Sequence, residues 1–381
     1  MKSLDKDVLH ICNSYSTSSL YRNLVQAICN NSENIVQHVY VPVRSSEELN
    51  KNTLDSSKVN YTFSLILNKF DRILYFKKIK KIKKDILKKV DFDSRKIIHS
   101  HFLFSNGGVA YLLKKSCGVR YITAVRNTDI NVFYRYMRHL KPFAYKILQN
   151  AERIIFLSPT YIEHLKKILK PTEFLAIEHK FVVIPNGIDE FWLKNKGIPK
   201  ELSNSELNLL FVGSFAKGKN IKTTINVVKK MNLRKGRNVR LSIVGGSGSN
   251  EKDILEIIES NKQFITYYGP IKDMDKLMEV YRSADIFLMP SFTETFGLVY
   301  AEALSQGLPI IYSKGQGFDN QFPDGHVGYS VNPTNEDEII NKIEEIIRNY
   351  SYLSSNAIEG CVKFNWDDIS LKYIDIYSSV K

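Results

Sequence analysis

The chain has 381 residues and 43% hydrophobic content, more than one core usually holds, since single cores stop growing near about 250 to 300 residues. Its net charge is +14, but zinc-finger spacing, an RRM signature and aromatic-basic interleaving are all missing, which argues against nucleic-acid binding. No apolar run reaches the roughly 18 residues of a membrane span, and Asp5, Lys6 and Asp7 interrupt the first ten residues where a signal peptide would be apolar, so a cytosolic protein is expected.

Short apolar runs at 8–12, 96–100, 121–125, 153–158 and 181–184 have the length of buried parallel strands and are separated by helical patterns. A second series follows at 207–212, 240–244, 264–268, 284–289 and 309–312. This alternation predicts an α/β chain with two doubly wound, Rossmann-like halves. Gly197, Pro199, Ser203, Asn204 and Ser205 mark 191–206 as a linker between domains at 1–190 and 207–365. Ligands in such sheets bind beyond the carboxyl ends of the strands, so the default site is a cleft where two domains face each other.

Charge separates the halves. Residues 1–200 hold 34 Lys+Arg against 17 Asp+Glu, giving +17, whereas 201–381 hold 20 against 23, giving −3. Much of the excess lies in 75–90 (YFKKIKKIKKDILKKV), where eight lysines accompany Phe76, Ile79, Ile82, Ile86, Leu87 and Val90 at helical spacing. Two placements are open for this helix. Its lysines, from Lys77 to Lys89, can lie on an anionic membrane at about 1 kcal/mol each, or simply face solvent while the apolar stripe packs on the domain. Cys12, Cys29, Cys117 and Cys361 have no CxxC spacing and read as reduced thiols rather than disulfides or a zinc site.

The densest chemistry lies in 291–307 (SFTETFGLVYAEALSQG). An apolar strand precedes it, and 298–306 reads as a helix closed by Gly307 and Pro309. Thr293 to Gly297 is then a loop feeding a helix start, whose free N–H groups and partial positive charge suit a phosphate, with Gly297 allowing close approach. Glu294 and Glu302, eight positions apart, can both face the cleft and accept sugar hydroxyls.

This segment resembles the E-x7-E signature of retaining glycosyltransferases of family 4, which have the GT-B fold. Three further segments fall in the family's order: VIPNGID at 183–189, LLFVGSFAKGKN at 209–220 and LSIVGGSG at 241–248. The resemblance covers the second half well and the first 180 residues weakly. It implies donor contacts from Gly213, Ser214, Lys219, Glu294, Thr295, Phe296, Gly297, Leu298 and Glu302, with Lys219 and Glu294 in the catalytic roles and the final helix, 366–381, packing back on the first domain.

The chain departs from the family pattern in places. Ser214 stands where an arginine is usual, so one phosphate-binding cation is missing and Lys217 or a basic residue of the first domain is expected to compensate. The glycine-rich loop after the first strand is replaced by NSYSTSSLYR at 13–22. Arg126 and Asp129, in AVRNTD, stand where many members carry an HGxD-like turn; Arg126 either binds a phosphate or acidic sugar, or pairs with Asp129. His99 and His101 either line the cleft or pack in the core.

No DxD-type pair follows a strand with an open face, so no metal and no other cofactor is expected. The resemblance implies a metal-independent, retaining hexosyltransferase using a nucleotide sugar, UDP-linked, and a glycan or lipid-linked glycan acceptor in capsule, O-antigen or wall-glycan assembly, in the cytoplasm and on the inner face of the membrane where the basic helix binds it. The competing assignments are a noncatalytic partner subunit and another GT-B enzyme such as an epimerase or phosphorylase.

Overall fold

The structure, a computed structural model, describes residues 6–93 (except the Arg72 side chain), 96–202, 206–234 and 238–380. Ser203, Asn204 and Ser205 of the expected linker, Asp5 of the leader reading and Lys381 of the expected final helix lie outside the described residues. The chain divides into two compact units: 1–157, 161–187 and 366–381 form the first, and 158–160 with 188–365 the second.

The first unit runs β1 (Lys6–Ile11), α1 (Ser19–Asn31), β2 (Ile35–Val43), β3 (Val59–Leu65), α2 (Tyr75–Lys89), β4 (Lys96–Ser100), α3 (Gly108–Cys117), β5 (Arg120–Val125), α4 (Lys141–Asn150), β6 (Ile154–Phe156), α5 (Pro159–Ile168), α6 (Pro171–Leu175) and β7 (Phe181–Val183). Its strands pair in parallel in the order β3-β2-β1-β4-β5-β6-β7. The second runs α7 (Glu190–Lys194), β8 (Glu206–Ser214), α8 (Ile221–Leu233), β9 (Asn238–Gly246), α9 (Glu251–Glu259), β10 (Ile265–Gly269), α10 (Met274–Ser283), β11 (Ile286–Leu288), α11 (Leu298–Ser305), β12 (Ile310–Ser313), β13 (Gly328–Val331), α12 (Glu336–Arg348) and α13 (Tyr350–Gly360). Here the parallel order is β10-β9-β8-β11-β12-β13. In each sheet the winding reverses between the first strand and the fourth, β1/β4 and β8/β11, and at such a switch point the loops diverge and leave a crevice.

The helix α14 (Trp366–Ser379) belongs to the first unit. Ile369, Tyr373, Ile376 and Tyr377 on its apolar face join a core with Val8, Leu24, Ile28, Ile97 and Ile122. Burying each such side chain contributes about 1.5 to 3 kcal/mol. Asn31 fixes the register of α14 on α1 by donating to Asp367 Oδ1 at 2.8 Å and Ser370 Oγ at 3.2 Å.

Three strands, β2, β3 and β13, are additions to the expected set. In β2 the buried Gln37 and the half-buried His38 interrupt the apolar run, and Gln37 is tolerated inside because it bonds His10 and the Val25 carbonyl. The edge strands β3 and β13 are half exposed and so show no continuous apolar run. The described part of the expected linker is largely exposed but is anchored to the second unit. It begins with α7, whose Trp192 is buried edge-on against Tyr281, and Gly197 N donates to the Ser305 carbonyl at 2.8 Å.

Candidate functional site

The loops at the second unit's switch point are bound to one another by main-chain contacts. Gly245, at φ +126°, leaves no room for a side chain against the Gly213 carbonyl, so the ends of β8 and β9 lie close together. Phe215 N donates to the Ser247 carbonyl at 2.8 Å, and Thr293 N to the Gly218 carbonyl at 3.1 Å. Asn220, left-handed at φ +55°, donates from its amide to the carbonyls of Pro290 and Pro333, each at 2.8 Å. These ties bring the loop after β8 against the loop after β11.

Their result is an ion pair between Lys219 Nζ and Glu294 Oε2 at 2.5 Å. Glu294 is 8% exposed. A carboxylate so far from water needs a charged or hydrogen-bonding partner, and Lys219 is one. The Glu294 main chain is held as well, its N–H donating to Gln316 Oε1 at 2.9 Å and its carbonyl accepting from Gly317 N at 3.2 Å. Gly213 and Ser214 are half-buried at the strand end, and Lys217 is exposed.

Beyond Glu294 the chain enters α11 through Gly297 at φ +82°, where any side chain would enter the Tyr300 ring. Phe296 is buried, Leu298 is half-buried and Thr295 is exposed. Gly297 supplies no side-chain cap, so the first amides of α11 remain available to an anion.

Glu302 stands one turn into α11, with Tyr281 from α10 donating to its Oε2 at 3.1 Å. Desolvation on burial and the negative charge of Asp189 push its carboxyl up to about 7, against the Tyr281 hydrogen bond. The two glutamates therefore hold different partners: Glu294 a cation, Glu302 a phenol.

The remaining expected site residues lie in the first unit. His99 and His101 are fully buried and stacked, their rings 4.0 Å apart, so the packed placement is the one found. His10 joins them, with its Nδ1 3.0 Å from His101 Nε2, and His99 Nδ1 lies 2.7 Å from the Tyr377 hydroxyl of α14. Ring nitrogens of the three lie within 4.8 Å of one another. Arg126 is buried, its Nε donating to the His101 carbonyl at 3.2 Å and its Nη1 reaching Asn186 Oδ1 at 3.5 Å. Asp129 takes its hydrogen bond from the Arg126 main chain, while the guanidinium acts on it through charge. Its carboxylate accepts from the N–H groups of Arg126, Leu103 and Phe104. Burial pushes its carboxyl up to about 6, although these three bonds oppose the shift.

In α2, Ile79, Ile82, Ile86 and the following Val90 are buried, while Phe76 and Leu87 face solvent. Lys78 departs from the expected lysine face. It is buried, donates to Ser105, and has its ammonium pushed down to about 8 by burial and then by Arg44.

Sequence reasoning missed Asn220, Gln316 and Tyr281. The signal for Asn220 was present, since an Asn between a lysine loop and a helix is a common left-handed residue. Gln316 and Tyr281 carry no local signal.

Residues 194–360 match the family model described as glycosyl transferases group 1. An uncharacterized glycosyltransferase of Methanocaldococcus jannaschii is 25% identical over 95% of this chain and 97% of its own. The capsular polysaccharide biosynthesis glycosyltransferase CapM of Staphylococcus aureus is 29% identical over 56% of this chain and 58% of its own. Among solved structures, sucrose-phosphate synthase from Thermosynechococcus elongatus superposes with a TM-score of 0.72 at 20% identity, covering 98% of both chains, which speaks to fold alone. The chain thus has the GT-B fold, and the match of residues 194–360 to the group 1 model supports a place in the glycosyltransferase superfamily.

Proposed function

We propose that the chain is a retaining glycosyltransferase that moves a hexose from a UDP-linked sugar to a hydroxyl of a glycan or lipid-linked glycan in cell-surface polysaccharide assembly. The observation that carries this proposal is the meeting of Lys219 and Glu294 at the β8/β11 switch point, beside a glycine loop and an uncapped helix start. Similarity to a capsular polysaccharide glycosyltransferase supports the choice of product.

In this mechanism the donor diphosphate lies on the loop after β8 and the first amides of α11. As the sugar's anomeric carbon leaves its phosphate oxygen, negative charge grows on that oxygen, and Lys219 with the amides stabilises it. The acceptor oxygen bonds to the anomeric carbon on the same face, and its proton passes to the departing phosphate oxygen, which preserves configuration. Glu294, held by Lys219 in the free protein, accepts sugar hydroxyls once the ammonium turns to the diphosphate. Glu302 accepts the ribose hydroxyls. Positioning and charge stabilisation supply the rate, and no step is assigned to a metal.

The test is a screen of nucleotide sugars by thermal shift and donor turnover with and without EDTA. A ligand at about 100 times its Kd stabilises by about 2.7 kcal/mol, a readily measured shift. A donor that binds but is never turned over by the single chain would instead favour a noncatalytic partner subunit, for which Ser214 in place of a cation and Arg126 in place of the usual histidine are the features in this sequence. Activity lost in EDTA and restored by manganese would overturn the metal-free route.

A further inference from the structure

A pocket of about 340 Å³ in the first unit opens between the turn after β5, the start of α4 and the face of α5. Arg135, Arg138, Lys141 and Lys167 line it together with His164, and no carboxylate is among its lining residues. A concave surface with charge of one sign focuses its field and concentrates counter-ions. Elsewhere in this unit Lys81, Lys89, Lys96 and Lys114 each pair with a carboxylate. Among the described residues the four cations of the pocket have no such pairing, and the Arg135 guanidinium rests only on the Tyr136 ring, 5.4 Å from its centre.

A second observation comes from Tyr134, which also lines the pocket and is 2% exposed. Its hydroxyl is buried without a hydrogen-bond partner. Burial, and then the charges of Asp129 and Glu173, raise its pKa, so the phenol stays protonated and offers a donor. A buried donor without an acceptor is a rare feature that calls for an explanation, and an anionic oxygen bound in the pocket would supply the acceptor once the ring shifts to meet it. Arginine forks match phosphoryl oxygens in pairs, and the volume suits a phosphoryl group with part of the molecule that bears it.

We infer that this pocket is a phosphoryl-binding site for a phosphate monoester or diphosphate group. It uses none of the residues given to the donor, all of which lie in the second unit, so it stands or falls independently of the donor assignment.

The test is titration of the full chain with inorganic pyrophosphate at low salt, in a Lys219→Ala background that lowers the contribution of the second unit's phosphate loop, the pocket variants below being compared in that same background. Saturable binding is expected. Arg138→Gln combined with Lys167→Gln should weaken it at least about tenfold, the equivalent of two modest charge contacts. Lys77→Gln with Lys80→Gln, which removes equal charge from α2, should leave it unchanged. Tyr134→Phe should weaken it severalfold with no change of charge. No saturable binding overturns the site, as do affinities that follow net charge alone, with the α2 control losing as much as the pocket variant and Tyr134→Phe losing nothing. Vesicles of phosphatidic acid, compared with phosphatidylglycerol at matched charge, then assign the source. Selective loss of phosphatidic acid binding by the pocket variant upholds a membrane headgroup, and vesicle binding unaltered while pyrophosphate binding is lost upholds a soluble phosphorylated ligand.

Discussion

Lys219 Nζ lies 2.5 Å from Glu294 Oε2, joining the loop after β8 to the loop before α11 across 75 positions of sequence. The two charges thus neutralise each other in the free protein, and under the proposed mechanism a bound donor separates them.

Lys219→Ala should therefore lower kcat about 100- to 1000-fold, the range for removal of a group aimed at developing charge, with a smaller effect on donor Kd. Steady-state kinetics and calorimetry on the same variant separate the two effects. Weaker donor binding with kcat unchanged would show that the ammonium acts on ground-state binding alone.

Glu302 leads to a pH dependence of a definite sign. Its carboxyl is raised to about 7 from an ordinary 4.5, so the neutral form stabilises the fold fully below pH 4.5 and that contribution is lost as pH rises through 7. The difference corresponds to at most about 3 kcal/mol. Glu302→Gln cannot ionise and should be more stable than the parent at pH 8, yet bind free nucleotide more weakly there because the ribose loses a charged acceptor. Nucleotide affinity of the parent should rise between pH 6 and 8 while that of the variant stays flat, as calorimetry at several pH values would show.

The histidine cluster acts in the opposite direction. Burial holds His10 down to about 3 from 6.5, and His99 and His101 well below 6.5, with neighbouring charges adding to the effect on the latter two. Neutral imidazoles in the fold contribute stability that is fully present above pH 6.5 and is lost as pH falls toward 3. Each such group steepens the loss by about 1.4 kcal/mol per pH unit. Denaturation followed through Trp366, in a Trp192→Phe background that leaves one tryptophan in the first unit, should show a midpoint falling steeply from pH 6.5 to 5. A flat midpoint would mean the cluster takes up protons without unfolding.

Gly297→Ala places a methyl group at φ +82° and into the Tyr300 ring. The backbone strain alone is about 1 to 3 kcal/mol, and relief requires the loop bearing Glu294 to move. Donor affinity should fall together with thermal stability, which differential scanning fluorimetry with and without nucleotide would detect.

Replacing the exposed lysines Lys77, Lys80, Lys84 and Lys88 with Gln should release the protein from anionic vesicles at low salt while leaving turnover of a soluble acceptor intact. Lys78 is left in place because it is buried. A parent protein that never binds such vesicles would make α2 an ordinary surface helix.

Local features were legible without the structure. The apolar runs of β1, β4 and β8 mark strands because a strand buried on both faces tolerates few polar residues, and the passage from β11 through Gly297 into α11 is written in neighbouring residues. Periodicity also showed which residues of α2 share an apolar face. It did not show which ends of that face reach the core: Phe76 and Leu87 stay partly exposed and Lys78 is buried. Contacts between distant segments were decided by tertiary structure alone. The parallel order places β8 beside β11 and β1 beside β4, and only that order sets Lys219 against Glu294 and stacks His99 and His101 beside His10. The physical reason is that a side chain's charge and burial depend on what the fold packs around it, and for these residues the neighbours come from segments dozens of positions away.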